Sequence, residues 1–291
     1  MKISSEEKDG EIIFSFDKGS IILDSKTGEI KSYKIKGREL ISEQFMLTNV
    51  NRPHTDNSRI SRLNGYKNTF IKLIDCKIEI NKDSGGFKDA VITYVKEIFA
   101  KKKAILKAEE ELIIGKGGVM DLTLKLIPLS KLKDNFECYG HIFRLQSEFD
   151  NISYYGRGKG SSYPDIKMHC PIGIYQLKAD EFSDSHIRPQ ESGNRCDVRY
   201  AAITDDKGSG ILINALDKAL NISVKKHSDN AIDTAAHIED LNESNGVYVS
   251  INGEVSGVGS GSCGPGTLDK YTIPKQKEYV FRYRIMPVIN K

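Results

Sequence analysis

Apolar residues return at every second position over many short stretches of this chain. In GVMDLTLKLIP, Met120, Leu122, Leu124 and Leu126 fall on one side of an extended backbone, with Asp121, Thr123 and Lys125 on the other. EYVFRYRIMPV repeats the arrangement, with Tyr279, Phe281, Tyr283 and Ile285 set against Arg282 and Arg284. The same alternation runs through EIIFSF, FIKLIDCKIEI, AVITYVKEIF, HIFRLQSEF and YVSIN. Successive side chains of a strand point to opposite faces, so this period predicts half-buried antiparallel strands. Turn formers separate the runs at DKGS, SKTG, NKDSGG, GKGG, DDKGSG and ESNG.

A helical period is scarce. KKKAILKAEEELII has helix-forming residues, but Ile105, Ala108, Leu112 and Ile113 make a poor helical stripe, so a strand with a charged face is predicted there. Glu109, Glu110 and Glu111 then alternate faces, as a solvated charged edge. DTAAHIEDL predicts one short turn of helix, with Asp233 or Thr234 as its cap. The expectation is a single all-β domain over residues 1–291, built of two large antiparallel sheets packed face to face. Its longest irregular stretches are 48–67, 151–196 and 255–270, and long loops on a β scaffold usually carry function.

Charge and composition narrow the partners. A net charge of +3, from 43 basic and 40 acidic residues, gives no footprint for nucleic acid. No apolar run approaches the roughly 20 residues of a membrane span, and the polar, acidic start MKISSEEKDG is unlike a secretory signal. No nucleic-acid or membrane partner is expected. The five cysteines are Cys76, Cys138, Cys170, Cys196 and Cys263, without CxxC or Cys/His zinc spacing. Reduced thiols, no metal site and a cytoplasmic location follow as expectations.

YYGRGKGSSYPD at 154–165 has the look of a phosphate cradle, with glycines at 156, 158 and 160. Such a cradle needs a helix directly behind it. Pro164 and Pro171 break any helix there, and no Lys-Ser/Thr pair follows. Those glycines are better suited to tight turning or close backbone approach.

The same stretch, followed by RPQESGNRCDVRY at 188–200, resembles the paired signature G-x-G-x-x-x-x-Y-P-D and P-x-E-x-G-x-R-x-x-x-R. That pair belongs to the C-terminal domain, or separate small chain, of family-two β-galactosidases. LDSKTGEIKSYKIKGREL at 23–40 resembles the domain's opening hairpin through Asp24, Thr27, Gly28, Gly37, Glu39 and Leu40. NVNRPHTDNS at 49–58 resembles N-F-W-R-A-P-T-D-N-D, keeping Asn49, Arg52, Thr55, Asp56 and Asn57. AAHIEDL resembles T-H-x-E-E-L and places His237, and INGEVSGVGSGSCGPG resembles the loop G-V-G-G-D-N-S-W-G.

The resemblance covers essentially the whole chain. It implies an antiparallel β-supersandwich of the galactose-mutarotase-like type. It also implies a partner, a catalytic (β/α)₈ barrel in the same polypeptide or in a large subunit, whose sugar pocket this domain closes on one side. Both catalytic glutamates, and the Mg and Na ions, are then expected in that barrel. The βαβ alternation of a barrel is absent here, so the isolated chain is expected to hold no catalytic residue and no cofactor, and to leave galactosides unhydrolysed.

By the same resemblance, Arg52, Thr55, Asp56 and Asn57, with Ser262 and Cys263, are expected to wall the pocket at the leaving-group side of a galactoside substrate. Two readings of the first four stand together. They grip vicinal sugar hydroxyls, or Asp56 and Asn57 cap a turn to which Arg52 bridges. Gly156, Gly158, Tyr163, Pro164, Asp165, Arg188, Glu191, Arg195 and Arg199 are expected to order the long loops, the arginines and Glu191 through buried ion pairs rather than as an anion site. His237 has equal claims to capping a short helix and to pairing with Glu239.

Two departures weaken the sugar platform. Cys263 and Asn51 stand where the family motifs carry tryptophan, and the chain has no Trp at all. An aromatic contact of about 0.5–1.5 kcal/mol is missing, so lactose is not assumed to be the best substrate. An independent aldose 1-epimerase is the alternative enzyme; it needs a facing Glu and His, for which His141, His169 and His186 are candidates. A stand-alone carbohydrate-binding domain is the alternative binder, and the absence of Trp counts against it.

Overall fold

The computed structural model describes residues 4–290, apart from 44, 57, 59–65, 67, 84–85, 133–134, 242–244, 260–266 and 276–277. In chain order the strands are β1 (Ser4–Lys8), β2 (Glu11–Phe16), β3 (Gly19–Asp24), β4 (Ile30–Ile35), β5 (Arg38–Glu39), β6 (Leu47–Asn49), β7 (Thr69–Asp83), β8 (Gly86–Ala100), β9 (Lys103–Ile114) and β10 (Met120–Pro128). They continue as β11 (Cys138–Gln146), β12 (Asn151–Arg157), β13 (Ile172–Lys178), β14 (Arg195–Val198), β15 (Tyr200–Thr204), β16 (Gly210–Ala215), β17 (Leu220–Lys225), β18 (Gly246–Val255) and β19 (Tyr279–Val288).

These strands make three antiparallel sheets. One meander follows chain order from β1 to β5; a nine-stranded sheet runs β13-β12-β15-β16-β19-β10-β9-β8-β7; a second five-stranded sheet runs β14-β17-β18-β11-β6. The all-β supersandwich expectation holds, with the N-terminal meander as a separate third sheet that period two alone did not distinguish from the rest.

The alternation decides which face goes inward. Met120, Leu122, Leu124 and Leu126 of β10 pair with Ile285, Tyr283, Phe281 and Tyr279 of β19, so the two apolar stripes meet across one ladder and are buried together. The opposite face carries Asp121 of β10 paired with Arg284 of β19 across the ladder, and Lys107 paired with Glu109 two residues further along β9. The inner face meets the second five-stranded sheet through rings as well as aliphatics, Tyr139 of β11 lying 5.3 Å from Tyr279. The N-terminal meander packs near by, where the Tyr94 hydroxyl donates to the Gly28 carbonyl at 2.8 Å.

Two local expectations are corrected. KKKAILKAEEELII is a strand, but β9 lies inside the nine-stranded sheet between β8 and β10 rather than at an edge. Glu110 shares the inward face with Ala108 and Leu112 and is only 6% exposed, while Glu109 and Glu111 point the other way. It is held there by Lys96 of the neighbouring strand. Near DTAAHIEDL, the helix (α1) runs Asp229–Thr234, and its cap is Ser228, whose hydroxyl accepts the Ala231 N–H at 3.1 Å. Asp233 and Thr234 lie inside α1, because the short serine side chain one turn earlier already meets the free amide. A separate 3₁₀ turn, Ile238–Asp240, follows, where the Asp240 carboxylate accepts the N–H groups of Ala236 and His237.

Candidate functional site

Four long connections converge at one end of the sandwich: those after β6, after β12, before β14 and after β18. The first leaves β6 through a turn in which the Asn49 side chain accepts the Asn51 N–H at 3.1 Å. Arg52 then turns inward and is 7% exposed. Its guanidinium donates to the carbonyls of Ser256 at 2.5 Å and Gly257 at 2.8 Å, and lies 5.4 Å from the Tyr163 ring centroid. Burial opposes this charge, but the Glu137 and Glu191 carboxylates outweigh it and raise the guanidinium's proton affinity.

Thr55 is also buried; its N–H donates to the Ser58 hydroxyl, and its own hydroxyl accepts the Ser58 N–H. Asp56 is exposed and exchanges two hydrogen bonds with the Gln190 amide, at 3.1 and 3.0 Å. Asn57, Ser262 and Cys263 lie outside the described residues. Of the proposed wall, Arg52 and Thr55 therefore face the interior as ties, and Asp56 faces out.

The YPD segment locks onto the loop that Arg52 holds. Asp165 accepts the N–H groups of Val258 at 3.2 Å and Gly259 at 2.7 Å, and a side chain at Gly257 would collide with its carboxylate at 2.5 Å. Half-buried Pro164 leads from Asp165 back to Tyr163, whose hydroxyl donates to Glu191 at 2.8 Å. Burial pushes the Tyr163 hydroxyl well above its usual pKa, so it stays a donor. Glu191 faces Lys225 at 3.7 Å, Lys225 pairs with Asp229 at 2.6 Å, and the Glu191 N–H donates to the His54 carbonyl. For Lys225, burial favours the neutral amine, but Asp229 and Glu191 reverse that and keep it charged.

The glycines of 156–160 divide. A side chain at Gly156 would meet Val198 at 2.7 Å, and one at Gly158 would meet the Tyr154 hydroxyl at 2.3 Å, so both mark close approaches. Gly160 has ordinary room, with His169 at 3.9 Å. Among the described residues, the arginines of the downstream motif are not tied by ion pairs, contrary to expectation. Arg195 is fully buried, but it donates to the Tyr154 hydroxyl and to the carbonyls of Asn194 and Phe182, with its guanidinium 4.5 Å over the Phe182 ring. Arg199 is exposed, donating to the Asp197 carbonyl beside Tyr155, and Arg188 is exposed in the loop before β14. A planar fork that donates to several carbonyls does not need a carboxylate.

His54 escaped sequence reasoning. Its ring lies 3.0 Å from Asp233, and its backbone N–H donates to the same oxygen at 2.6 Å. The only signal was local: the family motif has proline where this chain has His54. Gln190, Lys225 and Asp229 were missed too, since nothing in the motifs points to them, and Asp233 entered only as a candidate helix cap. Beside this cluster lies a cavity of about 520 Å³ between the 179–192 connection, the end of β17, α1 and the 3₁₀ turn.

The epimerase candidates do not share a cleft. His141 is 1% exposed between the sheets, bonded to the Tyr283 hydroxyl at 2.9 Å and 3.8 Å from Glu110. His169 is exposed next to Cys170, and His186 lines the cavity. Burial raises the thiol pKa of Cys138, Cys170 and Cys196, which leaves them neutral and poorly nucleophilic. Among the described residues, no three His, Cys, Asp or Glu side chains gather as a metal site, and no helix is long and apolar enough to cross a membrane.

The family model described as "Beta galactosidase small chain" matches residues 16–285. The chain belongs to that family. It is 28% identical over 276 residues to the β-galactosidase of Streptococcus thermophilus, a match over 92% of this chain and 26% of the relative. With the β-galactosidase of Kluyveromyces lactis the identity is 29% over 270 residues, 90% of this chain and 26% of the relative. This family member thus spans about a quarter of the length of the curated relatives it matches. Among solved structures, galactose 1-epimerase from Lactobacillus acidophilus NCFM is similar at a TM-score of 0.48 and 9% identity, over 97% of this chain and 96% of that one. The architecture of the family member rests on its own sheet order.

Proposed function

We propose that this chain is the accessory part of a β-galactosidase, walling the leaving-group side of the sugar pocket beside a catalytic barrel that supplies the chemistry. The family match supports the identity of the enzyme, and the quarter-length coverage supports a larger partner region, whether in the same polypeptide or in a separate subunit. The observation that carries the reading is the double tie of Arg52 and Asp165 onto residues 256–259, which joins the motif that holds Arg52 to the described part of the late glycine-rich loop.

In this arrangement Arg52 is a positioning residue, because its Nη1 and Nη2 donate to the carbonyls of Ser256 and Gly257. Asp56 offers the outward acceptor for a sugar hydroxyl, with Gln190 orienting it. The acid/base and nucleophilic carboxyls, and the Mg and Na ions, belong on this reading to the catalytic part; this chain holds the aglycone and excludes water from one side. The compartment we assign is the cytoplasm, where its dispersed thiols stay reduced.

The test is turnover of a chromogenic β-galactoside. The chain alone is expected to be inactive, and addition or fusion of its catalytic part is expected to give activity. Hydrolysis by the pure chain would refute the assignment. The epimerase alternative is not favoured, since Glu110 and His141, a Glu and a His that face each other, are sealed between sheets.

A further inference from the structure

The cavity of about 520 Å³ beside the wall loop has no role in that reading. It lies within the roughly 300–1,000 Å³ range of small-molecule sites. Part of the lining is apolar, formed by Pro189, Ile232, Ile238 and Leu241. The lining also carries hydrogen-bonding groups, among them Asp180, Asp184 and His186. Gln190 lines the cavity and also bonds Asp56, so Asp56 adjoins the cavity lining.

The charges in the cavity select against an ionic ligand. Lys225 is matched by Asp229 and Glu191, and Lys226 faces Asp150 at 3.4 Å, so both lysines already have carboxylate partners. Among the described residues no metal-holding group includes Asp180 or Asp184. What remains is a lining that combines aliphatic side chains with carboxylate, imidazole and hydroxyl groups. That pairing suits a neutral polyol, whose C–H faces lie on aliphatic carbon while its hydroxyls donate to carboxylates.

We propose that this cavity binds the distal sugar units of β-galactosides whose aglycone is an oligosaccharide, the chain running from Asp56 past Gln190 into it. The proposal rests on the accessory-wall reading above. It deepens that reading by naming the substrate class: galactose-terminated oligosaccharides longer than lactose.

The experiment uses the complete enzyme, this chain with its catalytic part, and compares kcat/KM for lactose with that for a galactose-terminated tetrasaccharide. The tetrasaccharide is expected to be favoured by about tenfold, mostly through a lower KM, since distal contacts bind ground and transition states alike. Ile238 is 46% exposed at the cavity wall, so Ile238→Arg narrows the cavity without disturbing the core. The isosteric Asp180→Asn weakens an acceptor in the lining. Both variants are expected to cut the length preference and leave lactose kinetics intact.

Absence of a length preference in the parent enzyme, or a preference that both variants keep, would overturn the proposal. So would an Ile238→Arg enzyme that loses its catalytic part in light scattering with no length effect, because the cavity would then seat a protein segment. Failure of the complete enzyme on both substrates would instead overturn the accessory-wall reading, and this proposal with it.

Discussion

Lys96→Met gives the sharpest check on how this sandwich tolerates charge between its sheets. Glu110 of β9 accepts from Lys96 Nζ at 2.5 Å and from the Thr48 hydroxyl, with His141 Nε2 at 3.8 Å. Burial alone would raise the pKa of this carboxyl, but Lys96 and His141 outweigh it and bring it down to about 2. Against the usual 4.5, at roughly 1.4 kcal/mol for each tenfold change in proton affinity, the carboxylate form is favoured by about 3 kcal/mol. Removing one partner of a buried pair costs about 3–5 kcal/mol by general experience, so the two routes agree. Lys96→Met, similar in length and uncharged, is expected to lower stability by about 3 kcal/mol at pH 7.

The sign of the pH effect follows from the depressed pKa. The contribution is complete above the ordinary carboxyl pKa of 4.5 and fades as pH falls toward about 2, so the gap between parent and variant should narrow over that window. Lys96→Met/Glu110→Gln, which removes both charges and keeps an acceptor for Thr48, should recover most of the loss. Urea unfolding followed by circular dichroism is the assay, because the chain has no tryptophan to report by fluorescence. A Lys96→Met cost below about 0.5 kcal/mol, or one that is flat from pH 7 to pH 3, would refute the reasoning.

Three further outcomes are expected. Gly158→Ala places a methyl 2.3 Å from the Tyr154 hydroxyl and should destabilise by about 1–3 kcal/mol, whereas Gly160→Ala, with nothing nearer than 3.9 Å, should be almost neutral; paired unfolding midpoints check this. Lys225→Met leaves Glu191 buried without its cation and should cost about 3–5 kcal/mol at pH 7. The folded-state pKa of Lys225 is raised, so that cost should hold up to the ordinary 10.5 and shrink only at more alkaline pH, as unfolding measured to pH 11.5 would reveal. Asp233→Ala removes both bonds to His54 and loosens the wall loop. In the complete enzyme KM for a β-galactoside should rise while kcat is kept, and an unchanged KM would separate His54 from the pocket.

Much of the fold was legible because a strand's period is a local property. Met120 to Leu126 and Tyr279 to Ile285 declared an inward face on their own, and each kept it. The motif at 154–165 lost its phosphate reading to two prolines, and Gly156 and Gly158 mark the close contacts that glycine permits. The helix near 229–240 was legible as a helix but not in its start, since Ser228 lies just before the stretch that drew notice.

The sequence by itself determined the period-two strands, the turns between them and membership of the small-chain family, all of which rest on neighbours in the chain. Only the tertiary structure decided where charge goes. Glu110 lies between two equally acidic neighbours, and its burial depends on Lys96 across the ladder and on Thr48 and His141 in another sheet. His54 and Asp233 are 179 positions apart, and Arg52 reaches carbonyls at 256 and 257, more than 200 positions along the chain. An ionic or carbonyl contact has no sequence period. It forms where two strands or loops happen to be brought within about 3 Å, a distance that packing sets and local pattern does not.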